Sequence, residues 1–188
     1  TYNATVSLSH SGTGCKAVRD GLVDIGNSSG PITAELDISE SERDENYVDH
    51  VVGRDGQPVV VSSDIYDAGV TELTGEEIRK IYQDEVTNWS ELGGPDKEIF
   101  VIGRAEGSGT DTSFRLNMLG SADASMSGVD SRFGQNQQVA EAVANNDGAI
   151  AYMALAFTSD QVQPVAIEFD GTVFEPSKDA ENAIFDSE

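Results

Sequence analysis

The sequence predicts an α/β protein with a largely parallel sheet, because strand-like runs alternate with helix-like segments along the chain. The clearest example is the apolar run at 98–103, which leads into a Gly-Ser-Gly-Thr turn at 107–110 and then into a helix-like pattern. The same order recurs near the start, where a strand-like run at 4–9 precedes the glycine-rich turn 11–14. Both turns lie between a predicted strand and a predicted helix.

The first third of the chain contains several further predicted elements. A helix is expected at 15–19, followed by a short apolar strand at 23–26 and an acidic helix within 33–46. Two apolar runs, 48–52 and 58–61, flank Asp55-Gly56, which is typical of a hairpin turn between β-branched segments.

The remaining elements follow from caps and from hydrophobic spacing. Thr74 and Glu77 form a capping box that opens an amphipathic helix at 78–82. A second long helix is expected through 137–143, ended by Asn146-Asp147-Gly148, and strands are expected at 149–152 and 163–169.

The composition limits the function classes. The chain of 188 residues carries 34 acidic and 11 basic side chains, a formal net charge of −23. A field this negative argues against nucleic acid and anionic membrane surfaces as partners. Because the acidic residues are spread along the whole chain, we interpret them as an adaptation to molar salt. The alternative of cation storage lacks a loop with the Asp/Asn spacing of a calcium site.

The two glycine-rich turns indicate anion binding. A helix that opens on Gly, Ser and Thr presents unpaired backbone N–H groups and hydroxyls, which suit a phosphate-like oxyanion. Arg104 stands where the predicted strand ends, and a guanidinium there can grip an oxyanion with two hydrogen bonds. The alternative for Arg104 is a salt bridge to Glu106 or Asp111.

Other chemistries are less well supported by the residues. The segment 12–17 nearly fits a dinucleotide fingerprint, but no second strand ends on an acidic residue near position 34. A hydrolase using Ser108 remains an alternative, although Ser108 does not stand in a Gly-x-Ser-x-Gly elbow. The two histidines lack partners at metal-ligand spacing, so the sequence predicts no metal site. We also expect no cofactor and no enzyme activity.

A series of short motifs covers most of the chain, at residues 11–18, 21–29, 55–61, 73–74, 78, 81–82, 87–95, 104–110 and 148–152. In these motifs and in their order, the chain resembles the phosphate-binding proteins of ABC phosphate importers. The acidic composition suggests a halophilic, archaeal-like member.

The resemblance implies a class II periplasmic-binding-protein fold, with phosphate held in a cleft between two α/β lobes. Lobe I would comprise 1–63 and 152–188, and lobe II 64–151. Ligand residues carried over by position come from both lobes: Ser11, Gly12, Thr13 and Ser29 from the first, and Arg104, Ser108, Gly109 and Thr110 from the second.

Departures from the family pattern lead to two further expectations. Ser29 stands where some members have an aspartate that accepts the hydrogen of protonated phosphate, so discrimination against sulfate is expected to be weaker. The family usually has further elements before residue 1 and after the 176–177 region. We therefore expect an incomplete first lobe and reduced phosphate affinity.

The resemblance also implies partners and a location. These are inorganic phosphate, an ABC permease in the membrane, and a monomer outside the cell that is anchored to the membrane in the full-length protein. A sensory or surface anion-binding module without a transport role is the alternative function.

Overall fold

A computed structural model describes residues 5–7, 9–53 and 56–176 and contains a five-stranded central sheet. In spatial order its strands are β4 (Ser131–Phe133), β3 (Phe100–Arg104), β5 (Ala149–Tyr152), β1 (Val59–Ser62) and β6 (Val162–Pro164). β3 runs parallel to β4 and β5, whereas β1 runs antiparallel to β5 and β6.

The prediction of a largely parallel sheet is therefore right for β3, β4 and β5, and β6 points in the same direction because it is antiparallel to β1, so β1 is the one reversed strand of this sheet. The segment between β1 and β3 contains β2 (Glu72–Thr74), which belongs to another sheet. Alternation of strands and helices does not reveal strand direction across a connection of this kind.

A second sheet has three strands, in the order β2, β7 (Ala166–Phe169) and β8 (Thr172–Phe174). The predicted strand at 163–169 is thus divided at Val165 between β6 and β7, which lie in different sheets. Asp170 and Gly171 form the turn between β7 and β8 with positive φ angles of 49° and 81°.

Four helices accompany the sheets: α4 (Ser63–Asp67), α5 (Gly75–Tyr82), α6 (Gly109–Phe114) and α7 (Asn136–Asn145). The predicted capping box on α5 is present, with the Thr74 hydroxyl accepting from the Glu77 amide and the Glu77 carboxylate accepting from the Thr74 amide. A π-helical turn, Arg115–Leu119, continues α6.

The strands of the central sheet separate two apolar layers. Side chains alternate along β1, so Val59 and Val61 pack with Trp89 and Tyr152 on one face, and Val60 packs with α7 on the other. Trp89 is fully buried and its indole N–H donates to the Gly148 carbonyl at 2.9 Å. The contact between Trp89 and Gly148 lies at the amino end of β5, and the candidate site lies at the opposite end of the sheet, after the last residue of β3.

The described residues before β1, here called the first segment (5–7 and 9–53), contain three helices, α1 (Ser11–Arg19), α2 (Ile32–Leu36) and α3 (Glu40–Asn46). Helix α1 begins four residues earlier than predicted. The predicted acidic helix is broken into α2 and α3 at Asp37, which has a left-handed φ of 53°.

Three strands predicted in the first segment are absent from its described residues. The runs 23–26 and 48–52 are irregular and largely exposed, with Ile25 82% and Val51 83% exposed. Residues 5–7 and 9 are also irregular, while 1–4 and 8 lie outside the described residues, as does Asp55 of the predicted hairpin turn. A strand is stabilised by its ladder partners, and the described residues provide none next to these runs.

The central sheet takes strands from both predicted lobes, since β1 and β6 fall in lobe I, β3 and β4 fall in lobe II, and β5 crosses the predicted boundary at 151–152. The lobe division stays a prediction, and boundaries before Val59 and after Pro164 would keep the sheet within one lobe. None of the described helices is long and apolar enough to span a bilayer.

Candidate anion-binding site

A cavity of about 690 Å³ lies at the carboxyl end of β3, where α1, α6 and α7 begin. It brings together six of the eight residues predicted as ligands, namely Ser11, Ser29, Arg104, Ser108, Gly109 and Thr110. The edge of an α/β sheet at the carboxyl ends of its parallel strands is the usual place for a ligand.

The start of α6 forms one wall of the cavity. Ser108 caps the helix, its hydroxyl accepting from the Asp111 amide at 3.2 Å, and Gly107 makes the preceding turn with a φ of 75°. The amides of Gly109 and Thr110 belong to the first helical turn, so they have no acceptor within the helix. Together they provide donors and a positive helix end for an anion.

The first segment forms the opposite wall. The Ser11 hydroxyl accepts from the Ser29 amide at 3.1 Å, and the Ser113 hydroxyl donates to the Ser29 carbonyl at 3.2 Å. A Cβ atom on Gly109 would lie 2.3 Å from the Ser11 hydroxyl oxygen. Glycine at this position therefore allows the two walls to meet.

Arg104 is the only arginine or lysine among the described residues that line this cavity, and it is 5% exposed. Its Nε donates to the Phe133 carbonyl at 3.3 Å, its Nη1 to Asn136 Oδ1 at 2.5 Å and its Nη2 to the Gly134 carbonyl at 2.8 Å. Burial lowers the pKa of this guanidinium, although an arginine remains charged at neutral pH.

The alternative of a salt bridge from Arg104 to Glu106 or Asp111 is wrong for the side chains as placed. Asp111 pairs instead with Arg115 at 2.8 Å and with Arg132 at 3.3 Å, and Glu106 lies 3.9 Å from Arg115. Both carboxylates are therefore engaged with other cations.

Asp111 is the centre of a buried polar network behind the cavity and is 3% exposed. Besides its two arginines, it accepts from the Tyr152 hydroxyl at 2.7 Å, and that hydroxyl accepts from the Arg104 amide at 3.1 Å. Burial and the neighbouring Asp111 carboxylate raise the pKa of Tyr152 far above its usual value. The network fixes the start of α6 relative to the end of β3.

Two predicted ligand residues do not lie at the cavity. Gly12 donates its amide to the Gly107 carbonyl at 3.4 Å and lines a second cavity, whereas Thr13 is exposed on α1. The prediction treated 11–14 as a turn, but these residues form the first turn of α1, so only Ser11 faces the cavity.

Sequence reasoning also missed cavity residues. These are Ser9, His10, Gly134, Gln135, Asn136, Gln137 and Phe157. The polar Gly-Gln-Asn sequence ahead of α7 resembles a helix start and is the signal that could have pointed to this loop. No group of three or more His, Cys, Asp or Glu side chains in the described part of the chain is arranged to hold a metal ion.

Comparison with known proteins identifies the family. Residues 1–185 match the family described as the PBP superfamily domain. The chain belongs to the PBP superfamily. The predicted periplasmic-binding-protein-like fold is therefore confirmed.

Two curated relatives of this chain are named as phosphate-binding proteins. The phosphate-binding protein PstS of Bacillus subtilis (strain 168) is 31% identical over 170 residues, covering 88% of this chain and 52% of that protein. PstS of Staphylococcus haemolyticus is 27% identical over 184 residues, covering 94% and 56%. The chain thus spans about half the length of the curated relatives that it matches.

Solved structures are similar as well. The structure of a phosphate ABC transporter substrate-binding protein from Clostridium perfringens with bound phosphate has a TM-score of 0.70 and 27% identity, over 86% of this chain and 62% of that one. An ABC-type phosphate transport receptor from Vibrio cholerae gives a TM-score of 0.64 and 26% identity, over 86% and 64%. The predicted resemblance to phosphate-binding proteins is confirmed.

A second cavity of the PBP superfamily chain, about 340 Å³, lies beside the first and contains a buried carboxyl group. Glu35 is 9% exposed, and its Oε1 has no hydrogen-bond partner among the described residues. Burial raises the pKa of Glu35, although the Thr112 hydroxyl and the Lys16 ammonium act in the opposite direction.

Glu35 is expected to make the stability of the chain fall with rising pH. Because its folded-state pKa is raised, the folded chain binds this proton more tightly than the unfolded chain does. The resulting destabilisation is absent at about pH 4 and below, and it grows as the pH rises towards the folded-state pKa. Glu35→Gln is expected to match the original chain at low pH and to be more stable than the original chain at pH 8.

Thermal melting between pH 4 and pH 8 at constant salt tests this expectation. Glu85→Gln, at an exposed position, removes the same charge and is the control. A difference between Glu35→Gln and the original chain that does not change with pH would contradict the prediction.

Proposed function

We propose that this chain binds inorganic phosphate in the cavity at the start of α6 and passes it to the permease of an ABC importer. The observation that carries the proposal is the buried Arg104 guanidinium, whose charge no described carboxylate neutralises. It lies beside the first-turn amides of α6 and the serine hydroxyls that line the cavity. The names of the relatives and the phosphate in the Clostridium perfringens structure support the choice of anion.

Binding would require no covalent chemistry, so the proposed protein is a receptor and not an enzyme. The Ser108 hydroxyl accepts from the Asp111 amide as a helix cap, a structural task that does not activate a nucleophile. This contact does not favour the phosphoester hydrolase. No specific contact favours the sensory module.

Selectivity is expected to rest on neutral groups. The described residues that line the cavity include no carboxylate, and Ser29 stands where the family resemblance implies an acidic acceptor in some members. A carboxylate acceptor would repel a fully deprotonated anion, whereas a hydroxyl does not. We therefore propose that sulfate competes with phosphate more effectively here than at a site with an aspartate.

We propose that the protein lies outside the cell and is attached to the membrane by an anchor. We also propose that it is a monomer. Adaptation of the acidic surface to high salt also stays a prediction. These statements follow from the resemblance and the composition.

Calorimetric titration of the chain with phosphate and then with sulfate, in molar potassium chloride, tests the function. Phosphate is expected to bind, and sulfate is expected to compete with it. A chain that is folded by circular dichroism and takes up neither anion would overturn the proposal.

A further inference from the structure

Three neutral oxygen atoms hold the Arg104 guanidinium in the cavity. Two are the backbone carbonyls of Phe133 and Gly134, and the third is Asn136 Oδ1 at 2.5 Å from Nη1. Asn136 is the only one of the three partners that contributes a side chain. It is therefore the position at which a substitution can change the charge beside Arg104 and leave the backbone partners in place.

The charge of Arg104 is not cancelled by the described residues around it. No described carboxylate lies within ion-pair distance of its nitrogens, and the nearby Asp111 is committed to Arg115 and Arg132. A guanidinium that is 5% exposed and lacks a partner charge is costly to bury. Its positive charge is available to an anion in the cavity.

Asn136 is held in one orientation at the start of α7. Its Oδ1 also accepts from the Ala154 amide at 3.3 Å, so two donors converge on the same atom. Two donors require an oxygen at this position, which settles which end of the amide faces Arg104. Asn136 itself lines the cavity.

We propose that Asn136 is a specificity-determining positioning residue, which orients Arg104 without neutralising it so that the bound anion supplies the countercharge. The inference rests on the proposed function and deepens it. It assigns the preference of the site for doubly charged tetrahedral oxyanions to the absence of a carboxylate at position 136.

The isosteric change Asn136→Asp separates this role from a purely structural one. Aspartate keeps an oxygen for both Arg104 Nη1 and the Ala154 amide, so the fold and the position of Arg104 are preserved. It also adds a negative charge that pairs with Arg104 and competes with the ligand. A structural role alone would leave binding unchanged.

Two opposite effects are expected from Asn136→Asp. In the absence of ligand the melting temperature rises by about 2–4 °C, because the buried guanidinium gains a countercharge. Phosphate binding weakens by roughly 10- to 100-fold, because a like charge faces the anion at short range. The loss is larger at pH 8 than at pH 6, since the phosphate dianion predominates at the higher pH.

Gln138→Glu is the matched control. It adds the same charge in the first turn of α7, keeps the acceptor for the Gln135 amide and does not line the cavity. It therefore reproduces the favourable interaction of an acid with the helix start without contacting Arg104. The melting gain of Asn136→Asp is expected to exceed that of Gln138→Glu, and to disappear when Arg104→Ala is present in the same chain.

Calorimetry and thermal melting of these variants test the proposed role of Asn136. Unchanged phosphate affinity, a melting gain no larger than that of Gln138→Glu, or a variant that does not fold would each overturn the role of Asn136. If the original chain takes up no phosphate, the proposed function fails. The melting comparison still shows whether Arg104 lacks a countercharge.

Discussion

Replacing Arg104 by alanine is expected to remove measurable phosphate binding. The change takes away the cavity's only arginine or lysine among the described residues and its charge-assisted hydrogen bonds. Truncating one partner of a buried charge pair costs about 2–5 kcal/mol, or roughly 30- to several-thousand-fold in affinity. Calorimetric titration of Arg104→Ala beside the original chain measures the loss.

The same substitution is expected to change thermal stability little. Arg104 has no ion-pair partner among the described carboxylates, so its removal strands no buried negative charge. Two of its former acceptor residues, Gly134 and Asn136, border a cavity that can admit water. Arg19→Ala, at an exposed arginine paired with Asp20, changes the net charge equally and is the control. A collapse of the melting temperature in Arg104→Ala alone would show that Arg104 is structural.

Removing the charge of Asp111 is expected to have the largest effect on stability. Asp111→Asn would leave Arg115 and Arg132 without their carboxylate and would weaken the contact with the Tyr152 hydroxyl. Breaking a buried pair by removing one partner costs about 3–5 kcal/mol, because a charge is left uncompensated. Urea unfolding measures the difference.

Asp123→Asn is the matched control for Asp111→Asn, because Asp123 is exposed and lies in the same region of the chain. The control is expected to alter stability by less than about 0.5 kcal/mol. Equal unfolding free energies for the two variants would mean that the buried network contributes no net stability.

The loop from Arg104 to Thr110 could be predicted from the sequence because its information is local. An apolar strand, a glycine turn and a capping serine occur within a few residues, and each has a separate physical signature. The structure accordingly places Arg104, Ser108, Gly109 and Thr110 along one cavity. The capping box at Thr74 was predictable for the same reason.

The network behind that loop could not be predicted in the same way. Arg132 and Tyr152 reach Asp111 from two other strands, β4 and β5, so their proximity depends on strand order. Only the pairing of Asp111 with Arg115 has a sequence signal, the spacing of four residues along a helix.

The first segment shows the opposite failure. Its β-branched runs at 23–26 and 48–52 have strand-like composition, but β-propensity largely reflects packing against neighbouring strands. The described residues supply no such neighbours, and both runs are irregular. Similarly, a one-turn error in the start of α1 moved Gly12 and Thr13 out of the predicted site.

The burial of Arg104 within a chain of net charge −23 makes the speed and the strength of anion capture depend on different variables. Outside the cavity an approaching anion meets the field of the whole molecule, which repels it at low ionic strength and which salt screens beyond about 8 Å at physiological ionic strength. Inside the cavity it meets donors at hydrogen-bond distance, where salt ions screen little. Ionic strength therefore governs how often an anion arrives, and the donors of the cavity govern how long it remains.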